Sequence, residues 1–263
     1  MSIKVSINPI LVSIGPADVR WYGLMFTLGI IIVVVWTLVG AKKTGISREI
    51  IYTSALWAIP FGLIISHIVY VLDDLDYFVD HPSKIFSLEG FTIYGGVLGG
   101  LLGVWIYNRL RGQPFRRLAD AAAPGIMLGL AVGRIGCTIN GCCYGTKTTL
   151  PWGIIYTHKD SYAPTGVAVH PTQVYELLFV LAVFGMLLGL RRKLKAEGSL
   201  ILLCLATYSA GRFLLSFLRD NTTYGGLREA QIISLLLLLI TVPLLIYRMR
   251  RVKGQATSVI VDK

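Results

Sequence analysis

Residues 22–41 read YGLMFTLGIIIVVVWTLVGA, twenty positions without one charged side chain. As a helix rising about 1.5 Å per residue, the run covers about 30 Å, the thickness of a bilayer's hydrocarbon core. A soluble helix of that length shows water a polar face, and this one has none to show. Comparable runs recur at about 50–72, 92–109, 119–139, 173–190, 199–218 and 230–247, separated by short polar connections. The pattern predicts an all-α integral membrane protein with seven transmembrane helices in a single polytopic domain spanning residues 1–263.

Composition agrees. Of 263 residues, 54% are hydrophobic and 15% charged, against about 25% charged in a soluble domain. The deficit argues against a large soluble helical core. The first residues, MSIKVSINPILVSIGPADVRWYG, lack the basic region, apolar run and small-residue cleavage site of a signal peptide. They read as a short exposed segment, partly interfacial, ahead of the first helix.

The net charge of +11 raises the question of nucleic acid, and its placement answers it. Basic clusters follow the first, third, fifth and seventh runs: AKKTGISR, RLRGQPFRR, RRKLK and RMRRVKG. The opposite connections carry only Lys4, Arg20, Lys84, Lys147, Lys159, Arg219 and Arg228. By the positive-inside rule the N-terminus lies outside and the C-terminus in the cytoplasm. The clusters serve as topology signals and contacts for anionic lipids. No concentrated basic face suggests nucleic acid.

Topology assigns depth. Arg134 lies 15 residues into the fourth run, roughly 22 Å along a helix heading outward, in the outer half of the membrane. Arg212 reaches similar depth, and Arg219 lies at the outer interface. Tyr22, His67, Tyr94, Asn140, His170 and Glu176 fall in the same slab. Embedded charges are costly, about 2.5–3.5 kcal/mol each on insertion scales. Two arginines and a glutamate there imply a polar cavity open to the outer leaflet. The competing reading is an internal ion pair of Glu176 with Arg134 or Arg212 that only locks helices together, and Tyr22 alone is compatible with an aromatic-belt anchor. A guanidinium fork fits phosphate oxygens, and the abundant anion at that depth is a phospholipid.

Two other features stand out. YGGVLGG, residues 94–100, sets glycines four apart, which favours close helix contact over ligand contact. GRIGCTINGCCYG, residues 133–145, gathers Arg134, Asn140, Cys137, Cys142 and Cys143 between glycines, in a segment expected to leave regular helix. For the thiols, a quinone-linked redox pair, a metal site with His170, an activated nucleophile and inert packing all remain open. C-x4-C-C is not a standard zinc spacing, and no metal is expected. Cys204, in the middle of an apolar run, reads as packing.

These stretches together resemble one family, the bacterial prolipoprotein diacylglyceryl transferases. GRIGCTINGCCYG is similar to the signature G-R-x-G-N-F-x-N-x-E-x-x-G, HPTQVYELL to H-P-[ST]-Q-x-Y-E, and GRFLLSFLRD to F-R-x-x-x-E-x-x-R. SIGPADVRWYGLMF resembles the family's entry into its first helix. The resemblance covers most of the chain. It implies a multi-pass enzyme of the bacterial plasma (inner) membrane, with its active site toward the outer leaflet and no cofactor. Such an enzyme takes the diacylglyceryl group of phosphatidylglycerol and transfers it to the lipobox cysteine of a preprolipoprotein signal peptide. A thioether forms and glycerol phosphate leaves.

The resemblance matches Arg134 and Arg212 to the family's functional arginines and Tyr22, Asn140 and Gly145 to further family positions; catalytic roles are expected of Arg134, Arg212, Tyr94 and Asn140. Substrate contacts are expected from Arg134, Arg212, Arg219, Tyr22, Gly95, Gly96, Gly145, His170 and Glu176. Cys137 stands where the signature has Asn and Cys142 where it has Glu. Tyr94 replaces a His before the helix-three glycines, and Ser216 replaces a Glu. The base is therefore open among Tyr94, His170, Glu176 and a thiolate of Cys137 or Cys142, with electrostatic activation of the acceptor thiol preferred. A transferase with a different acceptor and a quinone-linked thiol oxidoreductase are the rivals.

Overall fold

The 22–41 run forms helix α1, Trp21–Ala41, in a computed structural model that describes residues 2–15, 17–41, 45–73, 75–86, 93–219 and 223–261. The remaining helices are α2 (Arg48–Asp73), the short α3 (Leu75–Asp80), α4 (Ile93–Leu110), α5 (Phe115–Asn140), α6 (Thr172–Leu190), α7 (Ser199–Ser216) and α8 (Glu229–Val261). A 3-10 turn, Pro82–Phe86, follows α3. Each of the seven expected runs is helical. The largest departure is α8, which continues through the basic RMRRVKG segment instead of ending at 247. Among the described residues, six helices are long and apolar enough to cross a membrane: α1, α2, α5, α6, α7 and α8.

Local chemistry sets the helix starts. Pro114 precedes α5, and its carbonyl accepts the Arg117 and Leu118 amides. Pro171 does the same for Val174 and Tyr175 at the start of α6. At the start of α7, Asp120 reaches across from α5 and accepts the amides of Gly198 (2.5 Å) and Ile201 (2.8 Å). It satisfies donors that a helix N-terminus leaves open, and ties the two helices in register.

The chain falls into two compact units, residues 1–36 with 119–263, and residues 37–118. In the first unit, α5, α6 and α7 enclose a core of Ala123, Met127, Ala131, Val180, Val183, Leu187, Leu200 and Cys204. Cys204 is 1% exposed within it, as its apolar run suggested. Helix α1 crosses α5 at Gly29 and Gly129, where a Cβ on Gly129 would lie 2.6 Å from the Gly29 carbonyl oxygen. Side chains larger than hydrogen would part the helices.

Short strands join the helices, which the all-α reading did not include. They are β1 (Ile3–Val5), β2 (Ile10–Ile14), β3 (Ala17–Arg20), β4 (Ile154–Tyr156), β5 (Ala168–Val169), β6 (Thr223–Tyr224) and β7 (Leu227–Arg228). Strand β1 runs parallel to β4, pairing Ile3 with Ile154 and Val5 with Tyr156, and β4 is antiparallel to β5. Strands β2 and β3 form a hairpin that leads into α1. The segment read as a bare N-terminal extension is thus stitched to the long 141–171 connection. Ile154, Tyr156, Ala163 and Val169 form a small core there. Strands of two to five residues are too short to show an alternating pattern above chance, so nothing in the sequence announced them.

In the second unit α2 and α4 pack along their lengths. Asn108, fully buried, donates from Nδ2 to Ser54 Oγ at 2.9 Å and to the Val104 carbonyl at 2.8 Å. The glycine spacing serves this contact: a Cβ on Gly99 would sit 2.2 Å from the Phe61 carbonyl oxygen, and one on Gly103 would sit 2.6 Å from that of Trp57. Backbone cannot rotate out of the way. Gly99→Ala is expected to destabilise the protein by about 1–3 kcal/mol through overpacking, read as a lower apparent melting midpoint in detergent. An unchanged midpoint would show that α2 and α4 can separate freely. His67 belongs to this unit, its Nε2 at 2.7 Å from the Ile85 carbonyl. Tyr94, Gly95 and Gly96 open α4; the Tyr94 side chain lies outside the described residues.

Candidate active site

Glu176 lies one turn into α6 and is fully buried. Its carboxylate gathers four donors from three directions. From α5, Arg134 Nη2 donates to Oε1 at 2.6 Å. From α7, Tyr208 OH donates to Oε1 at 2.8 Å and Arg212 Nη1 to Oε2 at 3.3 Å. From the turn after α7, Arg219 Nη2 donates to Oε2 at 3.0 Å. Tyr208 and Arg212 share a face because they are four residues apart on a helix. Arg219 is two turns beyond Arg212 and reaches the same carboxylate.

This arrangement changes the sequence reading of Glu176. A carboxylate offers about four acceptor positions, and all are taken by these donors. Glu176 cannot collect a proton from an acceptor thiol without losing one of them. The ion-pair alternative is also too small. One carboxylate faces three guanidiniums, which leaves two formal positive charges uncompensated in the cluster. Nε of Arg134 and Nε of Arg219 are buried without a hydrogen-bond partner among the described residues. Buried donors rarely stay unmatched. Burial and the neighbouring Arg212 charge pull the Arg219 guanidinium below its ordinary value, while Glu176 opposes them.

The signature segment leaves helix at the end of α5. Gly141 turns it with φ +72°, and Cys143 follows at φ 62°, a left-handed conformation costing a non-glycine residue about 1 kcal/mol or more. Helix α6 holds the strained turn in place. Thr172 Oγ1 donates to the Cys143 carbonyl at 2.7 Å, and Gln173 Nε2 to the Cys142 carbonyl at 2.8 Å. Both side chains are fully buried. Gly145 closes the segment: its amide donates to the His170 carbonyl at 2.9 Å, and a Cβ there would lie 2.5 Å from the Leu218 carbonyl oxygen. Gly145 therefore joins the turn to α6 and the end of α7.

The turn brings three thiols together. Sγ of Cys137, Cys142 and Cys143 all lie within 4.8 Å of one another. Cys137 is buried, Cys142 half-buried and Cys143 exposed, and none forms a disulfide. Arg134 Nη1 approaches Cys137 Sγ at 3.8 Å. The thiols of Cys137 and Cys142, with help from the Arg134 and Arg219 charges, hold the Cys143 thiol below its ordinary value.

Residues 9–247 match the prolipoprotein diacylglyceryl transferases. The chain belongs to this family. It is 41% identical over 252 residues to the phosphatidylglycerol–prolipoprotein diacylglyceryl transferase of Dehalococcoides mccartyi, covering 95% of this chain and 97% of the relative. Identity to the enzyme of that name from Clostridioides difficile is 38%, covering 83% and 86%. To that of Nostoc it is 35%, covering 87% and 84%.

In this diacylglyceryl transferase family member the remaining expected residues fall as follows. Asn140 ends α5, buried, and its Oδ1 accepts from Arg20 Nη1 at 3.2 Å. Arg20 also donates to the Asp160 carbonyl at 3.2 Å and lies 4.6 Å from the centre of the Tyr162 ring. It pins the 141–171 connection over the signature turn. Tyr22 lies beside Gly136, whose Cβ would stand 3.1 Å from the Tyr22 Cα, and its ring stacks on Phe26. The His170 ring pairs with Tyr175 OH at 3.5 Å. It makes no hydrogen bond to the arginine cluster among the described residues.

Four contributors escaped the sequence reading: Tyr208, Arg20, Gln173 and Tyr156. Tyr208 was detectable from its helical spacing to Arg212. Gln173 lies within HPTQVYELL, where no local feature marks its contact with the Cys142 carbonyl. Tyr156 accepts from Gln173 at 3.3 Å, and burial pushes its phenol up. It sits on an unforeseen strand and carried no signal.

Proposed function

We propose that the protein transfers the diacylglyceryl group of phosphatidylglycerol to the thiol of the lipobox cysteine of preprolipoproteins, the first step of lipoprotein maturation. It acts as a seven-helix protein of the bacterial inner membrane, N-terminus outside and C-terminus cytoplasmic, with the site facing the outer leaflet. The observation that carries this reading is the cluster of three arginines about one carboxylate, with two positive charges to spare.

That surplus suits the reaction. The phosphodiester of phosphatidylglycerol carries one negative charge, and the leaving glycerol phosphate approaches two. A fixed site with two excess positive charges attracts the product-like charge more than the ground-state charge, which lowers the barrier. Arg134, Arg212 and Arg219 hold the phosphate, and Glu176 with Tyr208 hold the arginines. The incoming thiol attacks the glycerol carbon that bears the phosphate ester. A C–S bond forms, the C–O bond breaks, and the bonding pair leaves on the phosphate.

The lipid tails have a place beside the clamp. A groove of about 390 Å³ runs between α6 and α7, lined by Phe179, Val183, Met186, Ala210 and Leu214. It lies along the helices that carry Glu176 and Arg212, so a phosphate on the arginines can leave an acyl chain in it.

The test is incubation of the purified protein with phosphatidylglycerol and a lipobox peptide. The expected result is a diacylglyceryl mass gain on the peptide's cysteine. No gain with phosphatidylglycerol, or an equal gain on a peptide whose cysteine is replaced by serine, would defeat the proposal.

A further inference from the structure

The three thiols are built more carefully than packing requires. Cys204 shows what packing alone looks like: one thiol, isolated and buried in an apolar core. Cys137, Cys142 and Cys143 instead converge from the end of α5 and a strained turn. Two fully buried side chains, Thr172 and Gln173, hold the carbonyls of Cys143 and Cys142. Cys143 keeps the group accessible from outside.

The geometry points to a zinc site in which Cys137, Cys142 and Cys143 supply three thiolate ligands and the fourth position receives the acceptor thiol. Zinc–sulfur bonds of about 2.3 Å in a tetrahedron set the sulfurs about 3.8 Å apart. The thiols stand within 4.8 Å of one another, at most about 1 Å wider than that spacing. Soft thiolates favour zinc over the hard cations magnesium and calcium. Three protein ligands with one open position is the arrangement of a working zinc, not of a purely structural one. The bound ion and its three thiolates carry one net negative charge, and Arg134 stands 3.8 Å from Cys137 Sγ to offset it.

This inference rests on the proposed transferase reading, and it supplies what that reading lacks. Glu176 is saturated, and the signature's Asn and Glu positions are Cys137 and Cys142. A thiol coordinated to zinc is deprotonated outright. On binding, zinc displaces the three cysteine protons into solvent. The lipobox thiol then takes the fourth position and loses its proton to water. Its sulfur attacks the glycerol carbon beside Arg134, the C–O electron pair leaves on the phosphate, and the thioether, a poor ligand, departs. No electron is gained or lost overall.

The full-length protein, purified in detergent and stripped with a chelator, provides the test. Zinc titrated against a chromophoric competitor is expected to bind once per chain. Cadmium in its place is expected to give thiolate-to-metal charge-transfer absorption. Cys142→Ala and Cys143→Ala should each weaken zinc binding at least tenfold. The stripped enzyme should transfer the diacylglyceryl group at least tenfold more slowly, with zinc restoring the rate in wild type and not in Cys143→Ala. Cadmium absorption in wild type is read without any variant, so a misfolded variant does not decide the outcome. No zinc bound, no charge-transfer band, or a disulfide among the three thiols overturns the site. Zinc bound with equal rates in stripped and loaded enzyme overturns the activating role and leaves the transferase reading intact. Zinc bound with no transfer in either form overturns the transferase reading and, with it, the role of the fourth ligand.

Discussion

Glu176→Ala is expected to abolish transfer and to cost about 3–5 kcal/mol of stability, the usual penalty for removing one partner of a buried ion pair. The reason is the number of groups it holds. Arg134, Arg212, Arg219 and Tyr208 all donate to its two oxygens. Without the carboxylate, three guanidiniums share a buried space with no anion between them. Domains are stable by only about 5–15 kcal/mol, so this variant is expected to show a much lower apparent melting midpoint in detergent.

Glu176→Gln separates holding from folding. It keeps the shape and one acceptor oxygen, but turns an amide NH2 toward arginine donors. We expect it to fold and to transfer at least a hundredfold more slowly. The pH profile distinguishes a hub from a base. Loss of a base is relieved by raising pH toward the acceptor thiol's ordinary value of about 8.5, where the thiol ionises unaided. Loss of a hub is not, because misplaced arginines stay misplaced. Recovery of Glu176→Gln at alkaline pH would reinstate Glu176 as the base.

The extent to which this was legible in the sequence follows from the physics of each signal. Long apolar helices are written in bulk, since each spanning helix needs about twenty apolar residues; all seven runs proved helical, and six of the described helices are long and apolar enough to cross a membrane. The arginine cluster was legible because charge inside an apolar run is rare enough to be conspicuous. Its centre was not. Arg134, Glu176 and Arg212 come from three helices, and which carboxylate oxygen faces which guanidinium depends on helix rotation that no local pattern encodes. The same holds for the thiols. C-x4-C-C matches no familiar metal spacing, and the thiols are brought together by a turn with positive φ at Gly141 and Cys143 and not by helical periodicity. The strands were illegible for a third reason: β1 pairs with β4 across some 150 residues of chain, and each alone is three residues long.

Arg134→Lys should cost transfer nearly as much as Arg134→Ala, although it keeps the charge. Removing one donor aimed at developing negative charge costs about 10²–10³ in rate. Lysine offers a point charge where arginine offers a planar fork. Here the fork is used at both tips: Nη2 binds Glu176 at 2.6 Å, Nη1 turns toward Cys137 at 3.8 Å, and Nε is buried without a partner among the described residues. An ammonium reaches one of these and leaves the others empty. On the proposed clamp, the loss should fall on the rate of the chemical step more than on lipid binding, because the leaving phosphate carries more charge than the bound lipid. Arg212→Ala should behave similarly, with a smaller effect in proportion to its longer 3.3 Å contact. The double variant then tests the shared hub. Residues that act through one partner are non-additive, so Arg134→Ala with Arg212→Ala should lose less than the product of the two single losses. Strict multiplication of those losses would mean that the arginines act independently, and that Glu176 does not bind them into one phosphate clamp.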